Sequence, residues 1–246
     1  MSNFIVALVL GLWAGVSMVL NSSGIPVRTP LMTGVIAGLV IGSPQQGFEI
    51  GAVCQLMSIG FYTYGGATIP DYVIGAIFGT VVYHSTGNYE AGLIVASSLG
   101  LLMTQMDILG RATATIFQYL GDGALAKNNI PMFEVWVLMG NLPKILTRAI
   151  PTFLGLMMIN QITSIVDFAN SVQWISQGLA IAGKGLPVVG FALLLTYMDM
   201  KKYWPFMAVG YVLFAYMGVN TIGLAIAGAA FGALYLTRMI GVGGEA

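Results

Sequence analysis

Long stretches of this chain contain no charged side chain at all. Residues 1–27 hold none, and Tyr203–Thr237 is a second uncharged run of 35 residues. An α-helix needs about 20 consecutive, mostly apolar residues to cross the hydrocarbon core of a bilayer, and both runs are long enough. Over 246 residues, Lys and Arg number 9, Asp and Glu number 9, and 57% of positions are apolar. A soluble domain carries about 25% charged residues, against 7% here, so a water-facing surface cannot be built from this supply. A soluble enzyme, a nucleic-acid binder and a disordered scaffold are excluded. The zero net charge also leaves no basic face for phosphates. The chain reads as an all-α integral membrane protein forming one polytopic domain over residues 1–246.

The spans follow from where charge and helix breakers fall. Phe4–Leu20 is the first, and the absence of a basic leader and small-residue cleavage site predicts that it is retained. Leu31–Gly42 is short and stops at Ser43-Pro44-Gln45-Gln46. Gly47–Tyr64 is apolar but carries Glu49 and Gln55 before reaching Gly65-Gly66, which predicts a broken or re-entrant segment. Non-helical backbone at membrane depth is tolerated only inside protein or along a wet cavity. Tyr72–Tyr83 and Ala91–Met106 come next. Residues 107–130 are the most polar stretch and read as an extramembrane connection, with Arg111–Leu120 as an amphipathic piece along the interface. Met132–Leu142, Ile145–Asn160, Trp174–Ala182 and Leu186–Met198 follow. Tyr203–Thr237 then has room for two crossings with Asn220 at the bend. The total is roughly eight to ten membrane segments, several too short to span alone. Paired breaks in the two halves of a chain are a transporter signature; here they are Gly42–Gly66 and, more weakly, Gly183–Pro187. The Lys201-Lys202 pair leans cytoplasmic.

A few residues carry chemistry. Gly34, Gly38 and Gly42 recur every fourth position and predict a close helix–helix contact. Polar groups inside a membrane segment cost several kcal/mol unless paired, so Glu49 and Gln55 need partners. Glu49 is either a structural acid at headgroup level or a functional one. The Gln55 amide either bridges helices or recognises sugar hydroxyls, since it both donates and accepts. In Gly65-Gly66-Ala67-Thr68-Ile69-Pro70-Asp71, the glycines allow a sharp path and Pro70 turns Ile69 away from helix. Asp71 either caps the next helix or, with Thr68 and backbone amides, lines a polar pocket. Tyr62 and Tyr64 stack on a sugar ring or belong to an interfacial belt. Lys144 and Arg148 either snorkel to the interface or pair with an acid such as Glu134. His84 reads as an interfacial residue and Cys54 as packing. Metal-ligand clusters, phosphate loops and catalytic triad spacings do not occur in the sequence, so neither a cofactor nor catalysis by this chain is expected.

The run Gly38-x3-Gly42-Ser43-x3-Gly47, continuing through Gly51 to Gln55, resembles the signature of the IIC subunit of mannose-family phosphotransferase systems. Gly65-Gly66-Ala-Thr-Ile-Pro70-Asp71 is similar to that family's G-[GA]-A-x-x-P-D segment. Arg148-Ala149-Ile150-Pro151, Gly178–Gly183 and Pro187–Gly190 resemble later stretches, so the likeness covers about residues 4–238. Ser43 stands at the signature's acidic or amide position, and Gln55 where mannose-type members often carry Glu. The departures favour an amino-sugar, N-acetylgalactosamine-like or sorbose/fructose-type substrate as readily as mannose.

The resemblance implies a sugar-translocating channel subunit in the bacterial cytoplasmic membrane. It implies a helical fold with re-entrant hairpins, paired with a IID-like subunit into trimers of IIC–IID pairs. It also implies hand-off of a hexose or amino sugar to a cytosolic IIB, itself phosphorylated through IIA. By that resemblance the substrate site comprises Gln55, Thr68, Asp71, Gly65 and Gly66, with Asn21 and Arg28 as further contacts. The alternatives are a stand-alone facilitator or secondary transporter, whose proton-coupled form needs Glu49 as a deep acid, and a membrane scaffold, which needs no pocket.

Overall fold

The computed structural model of the chain describes residues 3–22, 27–59, 69–161 and 194–242, with isolated positions between 164 and 192. Regular structure among the described residues is entirely helical. The chain divides into two compact units, Met1–Leu194 and Leu195–Ala246.

In the first unit, α1 (Asn3–Ser22) is long and apolar enough to cross a membrane. It is followed by a tight helical hairpin, α2 (Pro30–Ile41) and α3 (Pro44–Ser58). The hairpin's boundaries are written in the sequence. Thr29 caps α2 by accepting from Met32 N at 3.2 Å, and Pro30 and Pro44 occupy first-turn positions where a missing N–H costs nothing. Gly42 turns the chain with φ +85°, a left-handed conformation that glycine adopts without penalty. The two arms touch backbone to backbone. A Cβ on Gly47 would lie 2.1 Å from the Gly34 carbonyl oxygen, and one on Gly38 would lie 2.7 Å from that of Ser43. The glycine stripe of α2 therefore meets its partner glycines, Gly47 and Gly51, on α3. At 1.5 Å per residue the arms reach only about 18 and 22 Å, short of the ~30 Å hydrocarbon thickness. Both arms fall short of a full crossing, as a re-entrant hairpin does.

The next helix, α4 (Tyr72–Thr86), is the centre of the unit, with every residue from Tyr72 to Val82 buried. A helix that is apolar on all sides must be covered on all sides. Ile74, Ile77 and Phe78 pack with Ala7, Leu10 and Ala14 of α1, Ala37 of α2 and Leu156. Tyr72 and Ala76 pack with Ile50, Cys54 and Met57 of α3 and Leu93 and Ala96.

From Tyr89 to Ala126 the chain forms one continuous helix, α5, of 38 residues. The sequence reading placed an extramembrane connection from residue 107 and a separate interfacial piece at Arg111–Leu120. In the structure the helix runs unbroken to Ala126, so Arg111–Leu120 is not a separate piece. The reason is local: Arg111 Nε donates to Asp107 Oδ2 one turn earlier at 2.7 Å, so the two charges neutralise each other along the helix. No proline interrupts the stretch. Two more helices complete the described part of the unit, α6 (Ile130–Met139) and α7 (Asn141–Met157), which follow each other directly after Gly140. Helix α7 packs along α1, where Gly11 and Gly15 face Phe153 and Ile145 at distances that leave no room for a Cβ.

The second unit contains α8 (Met200–Ala215) and α9 (Thr221–Val242). The bend expected at Asn220 is present, and its Oδ1 accepts from Gly223 N at 2.8 Å to start α9. Tyr203 and Phe206 of α8 meet Tyr235 of α9 edge to face, at 6.0 and 5.8 Å between ring centroids. The break at Gly183–Pro187 lies wholly outside the described residues, Trp174–Ala182 largely so, and Leu186–Met198 in part.

Candidate functional site

Four of the side chains expected to contact substrate line a single cavity of about 370 Å³: Asn21, Arg28, Gln55 and Asp71. Each arrives from a different element. Asn21 ends α1, Arg28 precedes α2, Gln55 lies in the last turn of α3 and Asp71 caps α4. Gly65, Gly66 and Thr68, together with Tyr62 and Tyr64, lie outside the described residues.

Asp71 performs both roles that its position suggested. Its Oδ1 accepts from Ile74 N at 3.4 Å, capping α4, and its own N–H donates to the Gly100 carbonyl at 2.9 Å. Its Oδ2 accepts from Arg28 Nη2 and from Arg148 Nε, the latter at 3.1 Å. Arg148 then reaches on through Nη2 to Asp107 Oδ1, while Asp107 Oδ2 accepts from Arg111. Five charged groups on four elements thus form one chain of ion pairs: Arg28–Asp71–Arg148–Asp107–Arg111. Only 4% of the Arg148 surface is exposed. A charge buried this deeply is tolerated only when it is paired and hydrogen-bonded, and Arg148 meets two carboxylates and the Lys144 carbonyl, at 3.3 Å.

Arg148, Asp107 and Arg111 are the residues of this site that sequence reasoning missed. Of the two readings of Arg148, snorkelling to the interface or pairing with an acid such as Glu134, the structure shows the pairing, with Asp71 and Asp107 as the acids. Asp107 and Arg111 were assigned to an extramembrane link. The signal was present in the spacing of Asp107 and Arg111, four apart on one helical face, and in an arginine inside the apolar segment Ile145–Asn160. Such a residue needs an acid from another helix.

Two polar atoms at the cavity are buried without a hydrogen-bond partner among the described residues: Gln55 Oε1, an acceptor, and Arg28 Nε, a donor. Buried polar atoms are normally satisfied, so each of these two retains capacity for one further hydrogen bond. Glu49 lies elsewhere. It accepts from Gln45 Nε2 at 3.1 Å and interacts with the Tyr83 hydroxyl, outside the cavity. His84 Nδ1 is 2.9 Å from Ser43 Oγ and 3.1 Å from Gln46 Oε1, which ties the end of α4 to the hairpin turn. Cys54 is fully buried in the α3–α4–α5 core, as expected for packing. Among the described residues, His, Cys, Asp and Glu form no cluster fit to hold a metal.

Comparison with known proteins gives a consistent picture. The family described as the sorbose-specific IIC component of the phosphotransferase system matches residues 4–234. The sorbose-specific EIIC component of Lacticaseibacillus casei is 27% identical over 84% of this chain and 75% of its own length. The fructose permease IIC component of Bacillus subtilis is 26% identical over 95% and 86%. The mannose-specific EIIC component of Escherichia coli K12 shows the same identity and coverage. Among solved structures, one titled as a membrane protein superposes with a TM-score of 0.83 at 22% identity, covering 96% of this chain and 95% of that one. The mannose transporter ManYZ in complex with microcin E492 superposes with a TM-score of 0.59 at 22% identity, covering 96% and 94%. These two likenesses concern the fold.

Proposed function

Because the chain belongs to the family of sorbose-specific IIC components of sugar phosphotransferase systems, we propose that it binds a monosaccharide in the Gln55–Asp71 cavity and carries it across the bacterial cytoplasmic membrane. The observation that carries this reading is the convergence of Asn21, Arg28, Gln55 and Asp71 on one 370 Å³ space. That volume falls within the ~300–1,000 Å³ typical of small-molecule sites. The residue chemistry suits a polyhydroxyl ligand. Gln55 Oε1 accepts from a sugar hydroxyl, Arg28 Nε donates to one, and the Asn21 amide offers both functions. Asp71, held by two guanidinium groups, keeps a fixed carboxylate at the wall.

The chain supplies recognition and passage, and phosphorylation is assigned to its partners. A IID-like membrane subunit completes the translocator, in trimers of IIC–IID pairs, and a cytosolic IIB that receives its phosphoryl group from IIA modifies the sugar. The second unit and the segment between 162 and 193 belong to the same polytopic domain over 1–246. Support for a covering partner comes from α6, none of whose residues is buried within the chain although all but Glu134 are apolar. Curated relatives named for sorbose, fructose and mannose support a neutral hexose or a close derivative as substrate.

The test is phosphoenolpyruvate-dependent phosphorylation of a labelled sugar panel by membranes containing the chain and its partner, with and without the cytosolic phosphocarriers. A sugar phosphorylated only with the full set supports the reading. A sugar that enters unmodified and indifferent to the carriers identifies a facilitator instead.

A further inference from the structure

Helices α5, α6 and α7 line a second cavity, of about 580 Å³, which adjoins the first at Arg111. Its lining has two parts. Phe117 of α5 and Phe133 and Trp136 of α6 present aromatic rings, and those of Phe117 and Trp136 lie 6.2 Å apart at an angle of 45°. Gln118 and Asp122 of α5 add an amide and a carboxylate, and Asn141 and Lys144 of α7 add an amide and an ammonium group. None of these four side chains forms a hydrogen bond or ion pair with the described residues. Gly121 keeps the space in front of the rings open, since a Cβ there would stand 3.6 Å from the Phe133 ring, at ordinary contact distance. On α7 the two cavities are one helical turn apart, with Lys144 lining the second and Arg148 the first.

Resting on the sugar-binding reading of the first cavity, we propose that the second is a further monosaccharide subsite, which holds the sugar on its way to or from the Gln55–Asp71 site. A sugar ring has an apolar C–H face and a rim of hydroxyls, and this lining offers a counterpart to each. Aromatic faces carry negative charge density, against which polarised C–H bonds stack. The two amides donate and accept, the carboxylate accepts and the ammonium donates, so hydroxyls find partners of both kinds. A lipid phosphate fits less well, because Asp122 places a carboxylate on the same space. The volume falls within the ~300–1,000 Å³ of small-molecule sites.

The experiment is maleimide labelling in membranes that hold the full IIC–IID complex and no phosphocarrier. Ala114→Cys reads the second cavity and Ser58→Cys the first. Sorbose, fructose and mannose are the probes, and at least one of them is expected to slow labelling at both positions. Adding Gln55→Ala should weaken protection at position 58 and leave that at 114 unchanged. Adding Trp136→Ala should raise the sugar needed to protect position 114 about tenfold, the scale of one lost aromatic contact, and leave 58 unchanged. This crossed pattern separates a second site from damage or from a shape change relayed by the first, since either moves both positions together. Protection at 58 alone overturns the proposal and leaves the first site standing. So does protection at 114 that vanishes with Gln55→Ala or ignores Trp136→Ala. Labelling at 114 that follows lipid composition and not sugar overturns it in favour of a headgroup site, and labelling only without IID in favour of a covered interface. If no sugar protects either position and none is phosphorylated, the sugar-binding reading itself fails, and this inference falls with it.

Discussion

Arg148 of α7 donates through Nε to Asp71 Oδ2 at 3.1 Å, joining residues 77 positions apart in sequence. The same guanidinium reaches Asp107 of α5, so one side chain ties α4, α5 and α7 together beneath the cavity. The position of the α4 N-terminus, and with it the floor of the site, depends on this contact.

Arg148→Met is expected to destabilise the folded protein by about 3–5 kcal/mol, because it leaves Asp107 with one cation fewer and Asp71 with one only, both buried. Thermal unfolding of the detergent-solubilised complex measures it. An unchanged midpoint would show that water or lipid headgroups reach the two carboxylates.

Gly47→Ala introduces a Cβ 2.1 Å from the Gly34 carbonyl oxygen, so the hairpin arms must separate. The expected cost is about 1–3 kcal/mol, typical of overpacking. Gly210→Ala in α8 meets nothing within 4 Å and is expected to be neutral or slightly stabilising. The contrast between the two midpoints tests the backbone contact, and equal effects would refute it.

Gln55→Ala removes the unpartnered acceptor while leaving the α3 core residues Cys54 and Met57 untouched. Uptake is expected to fall about tenfold, the equivalent of about 1.4 kcal/mol of lost ligand hydrogen bonding, with membrane level unchanged. Uptake at the wild-type rate would remove Gln55 from the site.

Cys54 is the sole cysteine of the chain and is fully buried. It is expected to resist membrane-permeant maleimide until the protein unfolds, so the native sequence serves as a silent background. Ser58→Cys, at the cavity wall, should label readily and be protected by substrate. Rapid modification of wild-type protein, or labelling at position 58 that substrate leaves unaltered, contradicts the packing described.

Much of this architecture is legible without coordinates. The shortage of charge determines a bilayer protein, because lipid admits helices whose backbone groups are satisfied internally. The sequence marks Leu31–Gly42 as too short to cross and places a break after it, Asn220 marks a real bend, and the pairing of α2 with α3 into a hairpin comes from the structure. The sequence also singles out Gln55 and Asp71, since polar groups in apolar surroundings are conspicuous one at a time, and the family resemblance adds Asn21 and Arg28. Tertiary structure alone decides that these four converge, and that Asp107, Arg111 and Arg148 join them. Pairing across helices depends on which faces meet, and no local pattern encodes a contact between positions 71 and 148. Continuity of α5 through Asp107 is different: the i,i+4 pair with Arg111 is written in the sequence, and only the second partner, Arg148, comes from another helix.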